Sequence, residues 1–461
     1  MGEQQPNLQK VIKKFVDPGL AVERILQTSA FHYFFNRISQ AGFLLFTSAI
    51  LAFVWANVDS ASYHHFWHQE FTFVLGRLRL HQTLGHFIND GLMTIFFLTV
   101  GLEIKRELLV GGLSDPKRAA LPVAAAVGGM LLPAAIYSFI NNGGPGAAGW
   151  GIPMATDIAF SLAVISTLGK SIPFGARIFL TALAIVDDLG AIVVIALFYT
   201  PAINLLALFV SLGLVVLLWL LNVYEVRILL PYNLVCLLLW FALLASGLHA
   251  TLAGVITAVF IPSTGKYDTD IFLAMVSRKL DKIRCEDGTC GESVRVNRRH
   301  LTVVQEIQLA CHEVETPLQR LEHNLSSWVG YLVLPIFALA NAGVALGDLD
   351  LSVAMRDTIT FGVGLGLILG KPVGIFLFTY IIAKLLGTSL IQGTNWTHIL
   401  GAGFLGGIGF TMSLFIGGLS FDNPLFLEYA KLGIMLGSLI CAIIGYIVLR
   451  YAAKAATKEG K

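Results

Sequence analysis

Long apolar runs recur from one end of this 461-residue chain to the other. Each is near the roughly 20 residues that a helix needs to cross a hydrocarbon core of about 30 Å. Twelve can be marked out, at 41–58, 87–104, 119–140, 152–169, 177–199, 202–221, 230–247, 248–262, 328–346, 358–383, 396–418 and 427–449. Inside hydrocarbon a backbone must satisfy its own N–H and C=O groups, so such runs fold as spanning helices. A water-soluble fold would have to bury all of them together. The chain is 56% hydrophobic and 13% charged, against about 45–50% and about 25% in soluble domains, so it lacks the polar residues to cover that core. The expected fold is an all-α polytopic membrane protein of twelve transmembrane helices.

Basic residues give the orientation, because they concentrate in cytoplasmic loops. With both termini cytoplasmic, 26 of the 31 Lys and Arg fall in cytoplasmic segments. Three (Arg77, Arg79, Arg356) fall outside and two (Lys371, Lys431) within spans. The chain then divides into a cytoplasmic N-terminal segment (1–40), helices one to eight (41–262), a polar cytoplasmic loop (263–326), helices nine to twelve (327–450) and a short cytoplasmic tail (451–461). Met1–Gln40 has no short apolar stretch with a small-residue cleavage site, so it reads as a lead-in and not a signal peptide. Phe71–Leu80, FTFVLGRLRL, alternates on each side of Gly76-Arg77 as a small external β-hairpin would. Cys236 and Cys441 lie in apolar spans and read as packing residues. Nothing in the composition implies a cofactor or a nucleic-acid partner.

Ionised side chains are costly in hydrocarbon, so those found there face a cavity or a partner and mark an ion path. Asp187-Asp188 sit within IFLTALAIVDDLGAIVVIALFY, roughly 14 Å deep at 1.5 Å per residue. Lys371 lies at the middle of its own span, and Asp157 lies somewhat nearer the external side. A structural Asp–Lys pair would explain one carboxylate, but three face one amine. A dry bundle would not hold the excess ionised, so a cation or protons must balance it. Neighbouring helical residues point about 100° apart. One of the adjacent aspartates can therefore reach Lys371 while the other lines a cavity.

Helix breaks fall at matching places. Gly151 and Pro153 open the Asp157 segment, and Gly406, Gly407 and Gly409 interrupt the eleventh span. These are the second members of the span triplets three to five and ten to twelve, which suggests inverted repeats with two broken helices crossing. Unwound backbone in such pairs builds transporter binding sites near the midplane.

At these residues the sequence resembles the NhaA family of bacterial sodium/proton antiporters, known for inverted-topology repeats. The motifs are PMATDIAFSLAVI (153–165), ALAIVDDLGAIVVIALFYT (182–200), SGLHATLAGV (246–255) and ILGKPVGI (368–375). INDGLMTIFFLTVGLEIKREL (88–108), LEHNL (321–325), FALANAGV (337–344) and GIGFTMSLF (407–415) extend it over about 39–262 and 318–450. The resemblance implies an ion site at Asp187 and Asp188, with Asp188 the principal ligand of transported sodium and no resident metal. Asp187 would exchange between proton, cation and an ion pair with Lys371. Thr156 and Asp157 would sit where the broken helices cross, with Asp157 compensating helix-end dipoles. Glu103, Arg106, Glu107 and Glu322, at the cytoplasmic mouth, match positions tied to pH activation. The 71–80 hairpin matches a dimerisation element. The implied protein is an electrogenic, pH-regulated exporter of sodium, and of lithium, in the bacterial inner membrane. It would be a homodimer and not an enzyme.

The chain departs from that pattern in two places. Gln319 stands where a basic residue is usual before LEH, and the 263–326 loop is long, with CEDGTC (285–290) lacking a counterpart. Cys285, Cys290, His300, Cys311 and His312 match no standard zinc spacing, so the loop reads as an inert polar insert. His249, alone between two spans, reads as a hydrogen-bonded packing residue more readily than as a pH sensor.

An ordinary aspartate titrates near 3.9, too low for protons to compete with sodium at neutral pH, but burial and a neighbouring carboxylate bring such groups toward the working range. Antiport then follows from mutual exclusion at one alternately exposed site. Two other classes are disfavoured. A sodium-coupled symporter of organic anions would need more polar lining beside Lys371. An intramembrane aspartyl protease would carry a GxGD element, and Lys371 would upset its shared-proton dyad.

Overall fold

The computed structural model describes residues 21–75, 78–199, 204–281, 298–347, 349–388, 390 and 393–459. In chain order, α1 (Ala21–Val58) and a short α2 (Ser60–Trp67) lead into β1 (Glu70–Leu75) and β2 (Leu78–Thr83). Then come α3 (Leu84–Leu109), α4 (Pro116–Ile140), a 3-10 helix (Ala147–Met154) that continues after a break as α5 (Ile158–Thr167), and α6 (Phe174–Phe198). After these run α7 (Leu205–Val223), α8 (Leu229–Ser246), α9 (Leu252–Phe260), α10 (Thr269–Asp281) and α11 (Arg298–Val314). The chain ends with α12 (Pro317–Asn341), a turn of helix α13 (Leu351–Ala354), α14 (Thr358–Leu386), α15 (Trp396–Gly406), α16 (Phe410–Ser420) and α17 (Pro424–Glu459).

The all-α membrane architecture stands. Among the described residues ten helices are long and apolar enough to span, and α15 with α16, bent by 43°, makes an eleventh. The expected eighth span is the short member of the twelve. It is realised as α9, nine residues long, or about 14 Å at 1.5 Å per residue, half a bilayer core. Gly247, at φ 83°, ends α8 in the left-handed conformation that glycine adopts at little cost, and 248–251 reverse the chain before α9 starts.

Several boundaries differ from those read in the sequence. α1 begins twenty residues before the expected span, α17 runs through most of the expected tail, and α12 begins at Pro317 instead of 328. The first turns of α12 carry Gln319, Arg320, Glu322, His323 and Asn324, so hydropathy reads them as loop although they form one amphipathic helix. The hairpin is present and slightly longer than 71–80. Leu75 pairs with Leu78, and the Gly76-Arg77 tip lies outside the described residues. The insert forms two helices, α10 and α11, packed on each other; CEDGTC, with Cys285 and Cys290, lies outside the described residues.

Three long helices contain π turns, and two of these turns, at Val329–Val333 in α12 and Gly366–Gly370 in α14, lie just before a proline. Both have the same cause. Pro335 and Pro372 lack an N–H and clash with the carbonyl four residues back, which falls at 331 and 368, inside the two π turns. The second turn ends directly before Lys371.

Packing places Lys371. α14 lies against α4 over its length, and the two backbones touch at Gly128 and Gly374. A Cβ on Gly128 would fall 2.3 Å from the Gly374 carbonyl oxygen, and one on Gly374 2.1 Å from that of Gly128. Small residues permit this approach between membrane helices. One turn from the contact, Lys371 is wholly buried.

Candidate ion-translocation site

The two broken spans meet break to break. The Ala147–Met154 helix packs on α16, whereas α5 packs on α15, so the two spans cross in opposite directions. Asp157 N donates to Ile408 O at 2.7 Å, and Ser161 Oγ donates to Leu405 O at 2.7 Å. These bonds satisfy backbone groups that the breaks release, which hydrocarbon could not do.

Asp157 serves two helix starts at once. Its Oδ1 accepts from Phe160 N (2.9 Å), capping α5, while its Oδ2 accepts from Thr411 N (3.1 Å) and Thr411 Oγ1 (2.6 Å) at the start of α16. A carboxylate beside two helix N-termini offsets both positive dipole ends. Ser438 Oγ also accepts from Gly409 N and Phe410 N, each at 3.2 Å. Sequence reasoning missed Thr411 and Ser438. A hydroxyl residue just after the Gly-rich break was the available signal for the first; an isolated serine in an apolar helix gave none for the second.

The three glycines of this break have ordinary negative φ, so space explains them. A Cβ on Gly407 would stand 2.8 Å from both Leu367 O and Cys441 Sγ, and one on Gly409 2.1 Å from Ser413 Oγ. Gly406 supplies a carbonyl: Thr156 Oγ1 lies 2.7 Å from it and 2.5 Å from Asp187 Oδ2. A hydroxyl has one proton, so it can satisfy one of these acceptors fully at a time.

Lys371 Nζ stands 2.6 Å from the same Asp187 oxygen and donates also to the Met154 carbonyl at the end of the first half-helix. A cation there suits the negative end of that helix. The other Asp187 oxygen, Oδ1, is buried with no hydrogen-bond partner. Asp188 is 2% exposed and carries no hydrogen bond or ion pair among the described residues. Asp187, Glu103, Asp157 and Lys371 are close enough to act on it electrostatically. Of the two adjacent aspartates, Asp187 thus sits on the amine, and Asp188 has no partner among the described residues.

A sequence profile of the Na+/H+ antiporter 1 family matches residues 32–449. The chain is 43% identical over 436 residues to a Na(+)/H(+) antiporter NhaA of Oleidesulfovibrio alaskensis, covering 94% of this chain and 96% of that one. It is 46% identical to the same-named protein of Acidithiobacillus ferrooxidans (91% and 97% covered) and 45% identical to that of Helicobacter pylori (90% and 94%). The chain belongs to the NhaA family of sodium/proton antiporters. It is a multi-pass secondary transporter and not an enzyme.

At one end of the antiporter, Arg106 ties two helices together. Its Nε lies 3.0 and 3.1 Å from the two oxygens of Glu322 on α12, and its Nη1 lies 2.8 Å from Glu107. Glu103, one turn deeper on α3, is within electrostatic reach of Glu322, Arg106 and Glu107 on one side and of Asp188 on the other. The structure thus gathers Glu103, Arg106, Glu107 and Glu322 into one cluster. His249 is not part of it. His249 follows the opposite end of α8, and its Nε2 bonds the Tyr199 carbonyl just beyond α6, tying two chain reversals together.

Proposed function

We propose that this antiporter exports sodium, and lithium, in exchange for protons at the Asp187–Asp188–Lys371 site, electrogenically, under pH control and by alternating access. The observation that carries this reading is the unequal state of the two aspartates: Asp187 is held by Lys371 and Thr156, while Asp188 has no partner among the described residues. An unpartnered buried carboxylate is expensive unless protonated or coordinated, so Asp188 takes a cation or a proton and not both. Asp188, the free Oδ1 of Asp187 and the Thr156 hydroxyl supply the hard oxygen ligands that sodium favours. Asp157, with both oxygens engaged by the half-helix starts, acts through the helix ends more than as a direct ligand.

When Asp187 takes up a proton or the cation, Lys371 loses its counter-ion and can release its own proton. The Thr156 proton can then turn fully to the Gly406 carbonyl. That links occupancy of the site to the break in the α15–α16 span. The Glu103–Arg106–Glu107–Glu322 cluster reads cytoplasmic pH, since Glu103 is the group between it and Asp188. The protein resides in the bacterial inner membrane with both termini cytoplasmic, as the bias of basic residues indicates. It works as a homodimer in which the two-stranded hairpin offers its edges to a second copy.

Everted vesicles test the reading. Sodium addition should release protons from a lumen acidified beforehand, over a limited window within roughly pH 6–9. Sodium-independent proton leak, or equal activity across the whole range, would reject it.

A further inference from the structure

A cavity of about 580 Å³ opens between α1 and α17, and none of Asp157, Asp187, Asp188 or Lys371 lines it. Ile50 of α1 and Leu439 of α17 form its sides, and Met355 closes one end. Its floor is Phe160 and Phe410, whose rings meet edge to face at 5.8 Å on either side of the helix crossing. Ser438, which caps α16, is the one hydroxyl in the lining.

The mouth of this cavity faces hydrocarbon. Ile50 and Leu439, within the α1 and α17 spans, are 44% and 54% exposed, which in a spanning bundle is exposure to lipid tails, and Met355, in the turn before α14, is 48% exposed. Its size falls within the roughly 300–1,000 Å³ of ordinary ligand pockets, and its lining offers almost nothing to a polar solute. Charge marks one end. Arg356 directly follows Met355 and is exposed, with no side-chain hydrogen bond or ion pair among the described residues. The acids beside it are engaged as helix caps, Asp350 on Ser352 N at 3.0 Å and Asp357 on Ile359 N at 2.8 Å. A free guanidinium on the residue next to the groove's end suits a phosphate, which it binds by charge-assisted hydrogen bonds, and a long basic side chain near a span's end reaches the headgroup level.

We infer that this groove binds one acyl chain of an anionic phospholipid, with the lipid phosphate held by Arg356. The chain lies on Phe160 and Phe410 and so supports the break of the α15–α16 span from the lipid side. This site is separate from the ion site and does not depend on how the aspartates divide their roles.

Native mass spectrometry of the purified full-length protein, titrated with phosphatidylglycerol or phosphatidylcholine, tests the inference. Wild type should retain phosphatidylglycerol preferentially. Arg356→Gln should lower its occupancy about tenfold, the loss of one charge-assisted contact, to the level of phosphatidylcholine. Ala442→Phe, which fills the groove, should abolish retention of both lipids and the thermal protection that phosphatidylglycerol gives. Equal retention of the two lipids by wild type would overturn the headgroup assignment. Undiminished phosphatidylglycerol binding in Arg356→Gln would show that the lipid is held elsewhere. Arg356 is exposed and its loss leaves the bundle intact, so this variant decides the matter even if Ala442→Phe fails to fold.

Discussion

Replacing Lys371 with Gln strands Asp187, and the structure says by how much. The ammonium lies 2.6 Å from the carboxylate and both side chains are fully buried. Removing one partner of such a pair costs on the order of 3–5 kcal/mol. The same change takes a donor from the Met154 carbonyl, and a buried acceptor left unsatisfied costs a further ~1–3 kcal/mol. Adding Asp187→Asn removes the stranded charge and leaves only the carbonyl cost. The double variant should therefore sit about 1–3 kcal/mol below wild type; because Asp187→Asn alone strands Lys371 at a similar cost, the two substitutions should be coupled by roughly 6–10 kcal/mol. Unfolding of purified wild type, both single variants and the double variant closes the cycle. Additive losses would refute the pairing energetics. Transport by the double variant, with Asp188 intact, then separates two roles for the amine. Current and sodium flux measured together should show fewer charges moved per sodium than in wild type. An unchanged ratio would make Lys371 a structural counter-ion and no proton carrier.

Glu322→Gln removes a carboxylate that holds Arg106 at 3.0 Å and should move the pH–rate profile while keeping the maximal rate; loss of that rate at every pH would place Glu322 on the transport path. Gly407→Ala should cost about 1–3 kcal/mol, because the new methyl meets the Leu367 carbonyl and Cys441 Sγ, both at 2.8 Å. Gly406→Ala should cost less, because it meets the Ile375 methyl end at 2.9 Å, which can move; the reverse ranking of melting temperatures would contradict this. Deleting residues 71–80 should lower dimer mass in detergent more than it lowers exchange, and an unchanged mass would count against the hairpin as the dimer contact.

The membrane class and the central charges were legible because both follow from transfer energetics that depend little on tertiary detail. Asp187, Asp188 and Lys371 announce themselves by being ionisable among apolar neighbours. What stayed hidden depends on backbone. The Gly406 and Met154 carbonyls, which receive Thr156 and Lys371, have no side-chain signature at all. Apolar content does not tell how much of a crossing is helical, so the reversal at 248–251 and the nine-residue length of α9 had no signature in it. The polar first turns of α12 hid its start for the opposite reason. They are amphipathic, with Leu318 and Leu321 buried and Glu322 turned to Arg106. His249 reads in the sequence as a hydrogen-bonded packing residue, and its bond to the Tyr199 carbonyl agrees with that reading, but a carbonyl partner has no sequence signal of its own.

Asp188→Asn tests the central claim most directly. The amide keeps the volume of the carboxylate but holds neither a transferable proton nor a charge for the cation. Asp188 has no hydrogen bond to lose among the described residues, so the fold should be preserved. Sodium-driven proton release should be measured in proteoliposomes containing this variant, with monodispersity and thermal stability checked in parallel. The account predicts a folded protein with exchange reduced to background at every pH; sodium-driven proton release at the wild-type rate would contradict it.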